Sequence, residues 1–318
     1  MQFRRLGSSG LEVSRLGLGT MGFGVAGDED ERQLRAFLDA GGTLVDTAPI
    51  YGDGRSERSL GALLGDLGVR DDVVLASKCA VAVRRGELVA DASRRTMLQQ
   101  LDESLRALGT DHLDLWQLHG WDETTPVDET LSALEHAVSS GRVRYVGISN
   151  FTGWQTALAQ TRVTARPAGL SFVSTQMQYS LLNRAIEDEV VPAATHVGLG
   201  LLAWSPLARG VLTGKYRLGT PADSRAANPT LSPYMDPYLD ADSTAIVDAV
   251  IRAAEGLDVA PAHVALAWLR DRPAVGSMLV GARTADQLTV SLASEDVELP
   301  QEIVQALDDV SSPDGWQD

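Results

Sequence analysis

Four ionisable residues of complementary type, Asp46, Tyr51, Lys78 and His119, stand well apart along the first part of the chain. Gathered at one pocket, they could donate a proton to a carbonyl oxygen. The phenol of Tyr51 is the donor in this reading. A free phenol titrates at about 10, too high for efficient transfer near neutrality, and an adjacent ammonium favours the phenolate and brings that value down. Lys78 is the residue type that does so. Asp46 would hold Lys78 through a charge-assisted hydrogen bond, and His119 would orient the carbonyl and donate to it. Any one polar residue after a strand is ordinary loop chemistry; a complementary set in a chain with 5 histidines is a constellation.

Such a set needs elements that bring it together. Short apolar runs at 15–19, 43–45, 73–76, 113–118, 143–148, 172–175, 199–203 and 278–280 are each too brief for a helix, and longer amphipathic stretches separate them. Met97, Leu101, Leu105 and Leu108 recur on one helical face with Gly109 behind them. A second helix is predicted with Thr125 as cap, Pro126 in the first turn, a stripe of Leu131, Leu134 and Val138, and Gly141 at its end. Strict alternation over eight units predicts a parallel (β/α)8 barrel. Chemistry in such a barrel collects beyond the carboxyl ends of its strands. Asp46, Lys78 and His119 follow the second, third and fourth runs; Ser149 and Asn150 follow the fifth, Gln176 the sixth, Ser205 the seventh and Gly281 the eighth. Tyr51 lies on the loop leaving the second.

The rest of the sequence narrows the field. Of 318 residues, 27 are Lys or Arg and 43 Asp or Glu, a formal charge of −16 that argues against a nucleic-acid partner. A hydrophobic fraction of 44% suits a large core. No apolar stretch is long enough for a signal peptide or a spanning helix, and Cys79 is the sole cysteine, so the expectation is a cytoplasmic protein that does not engage membranes. Residues 1–318 are expected to form one domain, with an amino-terminal hairpin around Ser8-Ser9-Gly10 and one long loop over 216–243. Gly17 to Gly22 fits the dinucleotide fingerprint G-x-G-x-x-G, but no helix opens directly after it. Gly210 to Tyr216 falls short of a P-loop, and Asp111, His112, Asp114 and His119 lack metal-ligand spacing, so no metal is expected.

The segments RRLGSSGLEVSRLGLGTMGFG, DTAPIYGDGRSE, VVLASK, LWQLHGWD, RVRYVGISNF, STQMQYSLLNR, LAWSPLARGVLTGKY and GARTADQL follow one another in the order seen in the aldo-keto reductases, which the chain resembles over nearly its whole length. The resemblance implies the same barrel, reduction of aldehydes and ketones by hydride transfer from NADPH, and a catalytic tetrad of Asp46, Tyr51, Lys78 and His119. It also implies that Ser149, Asn150 and Gln176 hold the nicotinamide amide while Trp204 stacks on the ring. Ser205, Leu207 and Gly210 would lie over the pyrophosphate, with Lys215, Arg225 and Arg283 supplying positive charge and Gly281 and Gln287 completing the site. Thr20 and Met21 would lie near the nicotinamide ribose. Val290 and Ser291 replace the Glu and Asn that many relatives use at the adenine end, whereas Arg283 is placed by motif to meet a 2′-phosphate, favouring NADP(H) over NAD(H). Met21, Phe23, Tyr51, His119 and Trp121 are candidates for the substrate wall, the partner being a small carbonyl compound; a homo-oligomer is left open. The chain is similar to a bacterial member of the branch that includes potassium-channel beta subunits, so a regulatory subunit with little turnover is an alternative, as is a reductase of nucleotide-linked keto-deoxysugars.

Overall fold

The computed structural model describes residues 1–312 apart from 26, 168, 218, 222, 223, 228–231, 233 and 234, and leaves out the side chains of 225 and 236. Strands β1 (Phe3–Arg5) and β2 (Glu12–Ser14) form the expected antiparallel hairpin. The eight barrel strands are β3 (Leu16–Gly19), β4 (Leu44–Asp46), β5 (Val74–Cys79), β8 (Leu113–Leu118), β9 (Val143–Ser149), β10 (Phe172–Gln178), β11 (Gly200–Trp204) and β12 (Val275–Val280). They close in that order, all parallel, β12 returning to β3. Between β5 and the next helix lies a second antiparallel hairpin, β6 (Val81–Arg84) and β7 (Glu87–Ala90), which periodicity did not reveal.

The helices are α1 (Asp28–Asp39), α2 (Arg55–Leu67), α3 (Arg94–Leu108), α4 (Val127–Ser139), α5 (Gly153–Thr164), α6 (Val190–His196), α7 (Ala241–Leu257), α8 (Pro261–Arg270), α9 (Ala285–Leu292) and α10 (Gln301–Val310). On α3 the predicted stripe is buried, Ser93 caps the start and Gly109 takes the left-handed ending at φ 63°. On α4 Pro126 occupies the capping position instead of the first turn, and Thr125 does not cap: its hydroxyl donates to Asp122 Oδ2 at 2.6 Å. Asp122 also accepts from the Ala92 amide at 2.8 Å and so ties this loop to the start of α3. The predicted loop over 216–243 is shorter at its far end, because Asp240 accepts from the Ser243 amide and starts α7. Within it Met235 and Tyr238 are buried and pack in the core cluster.

Two apolar layers hold the barrel. One lies between strands and outer helices and includes Phe37, Trp116 and Trp268. The other fills the interior at the amino-terminal end, where Leu6, Leu11 and Val13 of the hairpin pack with Leu44, Ala76, Leu115, Leu202 and Leu279. Gly7 makes that plug feasible. Its φ is +58°, and a Cβ there would stand 2.5 Å from the Gly198 carbonyl oxygen. No helix among the described residues is long and apolar enough to cross a membrane.

Candidate active site

The polar residues converge at the carboxyl ends of the strands, and several are strand residues themselves. Asp46, Lys78, Ser149, Gln176 and Trp204 continue their ladders where the apolar pattern had ended each strand earlier. The reason is geometric: in a closed barrel the inward side of the mouth is polar, while backbone pairing carries on without regard to side chain. Register aligns them. Lys78 lies opposite Gln117, Ser149 opposite Gln176 and Gln178 opposite Trp204.

Lys78 is fully buried and its ammonium has three acceptors: Asp46 Oδ2 at 2.5 Å, the Thr47 carbonyl at 2.9 Å and Tyr51 Oη at 3.2 Å. These match the three protons of an ammonium. The other oxygen of Asp46 accepts from Gln176 Nε2 at 2.9 Å and Gln117 Nε2 at 3.2 Å. Burial alone would pull the Lys78 ammonium down, but Asp46 and Tyr51 outweigh it and hold the group above the ordinary lysine range. Tyr51 departs from expectation. Burial raises its phenol above the usual value, and the neighbouring Lys78 offsets that only in part. The phenol is therefore held protonated, a stored donor, with the ammonium beside it ready to stabilise the charge left after transfer.

The Tyr51 loop is stapled to the first barrel strand. Ser56 Oγ donates to the Thr20 carbonyl at 2.7 Å and also lies 2.9 Å from the hydroxyls of Thr20 and Thr47. His119 is placed by its own amide, which donates to the Cys79 carbonyl at 2.8 Å, and its ring meets that of Tyr51 edge-on at 6.0 Å. Burial first, and then the Lys78 charge, lower its pKa to about 3, so the imidazole is neutral at physiological pH. Phenol and neutral imidazole thus flank one space, each with a proton to share.

Asn150 sits in the left-handed region at φ 58°, and its amide nitrogen donates to the His119 carbonyl at 3.0 Å. Trp204 Nε1 donates to Asn150 Oδ1 at 3.1 Å, fixing a half-buried indole beside the mouth. Ser149 Oγ donates to the Gln176 carbonyl at 2.9 Å. Beyond β11 the backbone is left-handed at Ser205, Ala208, Arg209 and Gly210, turning sharply over the mouth. A Cβ on Gly210 would lie 2.9 Å from Lys215 Nζ, so the missing side chain lets that ammonium lie against the loop. Leu207 is half-buried against the core.

Thr20 is buried, Met21 is 58% exposed at the rim, and Phe23 is 2% exposed within the core, so Phe23 does not form a wall of the mouth. Trp121 packs edge-on with Phe151 at 5.1 Å and with Trp154 at 5.5 Å, the exposed Trp154 extending an aromatic wall that the sequence reading omitted. On the other side, Gly281 and exposed Arg283 and Gln287 lead into and along α9, where the Arg283 amide donates to Gln287 Oε1 at 3.1 Å. Val290 is exposed and Ser291 turns inward to the Gln287 carbonyl. The Arg225 side chain lies outside the described residues. The sequence reading missed Gln117, and it took in Tyr238, whose hydroxyl meets Gln178 at the end of β10, only as part of the loop over 216–243, a candidate for the substrate wall.

A model of the Aldo/keto reductase family matches residues 15–312. An uncharacterized oxidoreductase, YrpG, of Bacillus subtilis (strain 168) is 36% identical over 98% of this chain and 96% of its own length. A probable voltage-gated potassium channel subunit beta of Oryza sativa subsp. japonica is 35% identical over 93% of this chain and 92% of its own. The L-glyceraldehyde 3-phosphate reductase of Escherichia coli (strain K12) is 35% identical over 91% of this chain and 86% of its own.

Proposed function

Because this chain belongs to the aldo/keto reductase family, we propose that it reduces an aldehyde or ketone to the alcohol with NADPH, Tyr51 giving the proton. The observation that carries the reading is the buried Lys78 ammonium, satisfied at once by Asp46, Thr47 and Tyr51. NADPH, when bound, supplies the hydride. His119 and Tyr51 hold the carbonyl oxygen between two donors, and the Tyr51 proton passes to that oxygen as charge develops on it. Lys78 then steadies the phenolate, and Asp46 keeps Lys78 charged and in place.

The mouth suits a nicotinamide dinucleotide. The indole of Trp204, locked by Asn150, offers a flat face, and the left-handed loop at Ser205 to Gly210 with Lys215 against it offers a cradle for a pyrophosphate. Arg283, beside the α9 amino terminus, favours the 2′-phosphorylated form. Asn150 and Ser149 would hold the carboxamide; Gln176 would do so only through atoms not already given to Asp46. We take residues 1–318 as one domain acting in the cytoplasm, where the buried Cys79 thiol fits a reducing compartment.

The deciding experiment follows NADPH oxidation with a panel of simple aldehydes and ketones. Tyr51→Phe is expected to bind NADPH as the native chain does and to lose turnover by about a hundredfold or more; retained turnover overturns the role of Tyr51. The likeness to the rice channel subunit supports one rival, a cofactor-binding regulatory subunit. Tight NADPH binding with no oxidation by any carbonyl would favour it.

A further inference from the structure

The last barrel strand, β12, ends at Val280, and the chain passes through Arg283 into α9, whose cap Thr284 accepts from the Gln287 amide at 3.3 Å. In barrels of this class the turns after the final strands and a nearby helix amino terminus commonly receive a phosphate. Here the first amide of α9 is already taken. The Ala285 N–H donates to Glu29 Oε1, and the other oxygen of Glu29 pairs with Arg32. Glu29 belongs to the first turn of α1, which packs along α9. That turn has no side-chain cap of its own, yet the Glu29 carboxylate reaches across to the neighbouring helix, where its side chain is only 13% exposed.

We propose that Glu29 sets how far this chain discriminates between dinucleotides that carry a 2′-phosphate and those that do not. The carboxylate stands where an anion is favoured, so an arriving phosphate must displace it or sit beside it. A phosphate monoester brings a charge of about −1.5 to −2, and a fixed carboxylate at the Ala285 amide, beside Arg283 in the chain, subtracts from what Arg283 provides. An unphosphorylated ribose presents a hydroxyl instead, which a carboxylate accepts from without penalty. The proposal rests on the NADPH reading above and refines it: the preference for NADPH is weaker than Arg283 alone would set. Glu31, on the same turn, pairs with Arg35 at 2.8 Å and serves as the control for a general charge effect.

The test is titration of the full chain with NADPH and with NADH by tryptophan quenching, with 2′,5′-ADP as a competitor, in native protein and in Glu29→Gln, Glu29→Ala and Glu31→Gln. Glu29→Gln keeps an oxygen for the Ala285 amide and so keeps the helix contact; if it fails to fold, Glu29→Asp, with its shorter reach, takes its place. The expected result is NADPH and 2′,5′-ADP binding about tenfold tighter in the Glu29 variants, with NADH no tighter than in native protein and Glu31→Gln like native. Parallel changes for both dinucleotides, or an equal effect of Glu31→Gln, overturn the proposal while leaving the cofactor reading intact. Failure of the native chain to bind either dinucleotide overturns both.

Discussion

Acidification should cost this protein stability through one imidazole, by an amount that can be isolated. His119 is depressed from 6.5 to about 3 by burial and then by Lys78, so the native state resists a proton that the unfolded chain accepts. The sign follows: a depressed folded value contributes stability above pH 6.5, lost progressively as pH falls toward 3. Each pH unit in that window corresponds to about 1.4 kcal/mol, so the span from pH 6 to pH 4 holds about 2.7 kcal/mol. The ring is only half-buried, and solvent screening brings the expectation to about 1.5–2.5 kcal/mol. The assay is urea unfolding followed by circular dichroism at intervals from pH 4 to 8, for native chain and for His119→Gln. The substitution removes the titration and keeps a polar side chain. Carboxylates that titrate in the same range cancel in the difference between the two curves, which should fall steadily below pH 6.5. A flat difference would refute the claim that the site holds His119 neutral.

Two further outcomes can be measured on the same footing. Asp46→Asn and Lys78→Met should each destabilise by about 3–5 kcal/mol, because each leaves a buried charge without its partner, whereas the double variant should lose less than the sum; additive losses in denaturant midpoints would mean that the pair is not coupled. Gly7→Ala should cost about 2 kcal/mol or more, since it combines a left-handed φ with a Cβ driven into the Gly198 carbonyl; an unchanged melting temperature would contradict that account of the hairpin.

The barrel, and the place of Asp46, Lys78 and His119 at one end of it, could be read from sequence because each stands at or just beyond the end of a short apolar run; Tyr51 was placed there by the loop that leaves the second run. What remained hidden depends on proximity across the chain. Gln117 lies between Trp116 and Leu118 within a strand, and only the register against Lys78 turns it toward Asp46. Tyr238 stands in a Pro- and Asp-rich segment that reads as one long loop, yet it is buried and bonded to Gln178. The second hairpin escaped notice because its strands, Val81–Arg84 and Glu87–Ala90, are short and expose Val83 and Leu88. The direction of the Tyr51 shift was misjudged for a related reason: residue types announce the charges but not the depth of burial, and here burial outweighs the ammonium.

The amino-terminal plug carries a consequence for synthesis. Leu6 and Val13 complete their packing only against residues that include Leu202 and Leu279, and β3 forms one of its two ladders with β12. A ribosome that releases the chain from its amino end therefore exposes the plug long before its socket exists. The first hairpin must wait until β12 has emerged, so the barrel closes late, through contacts between elements far apart in the sequence. Until then Leu6, Leu11 and Val13 are an uncovered apolar ribbon, the segment on which a holding chaperone would act first.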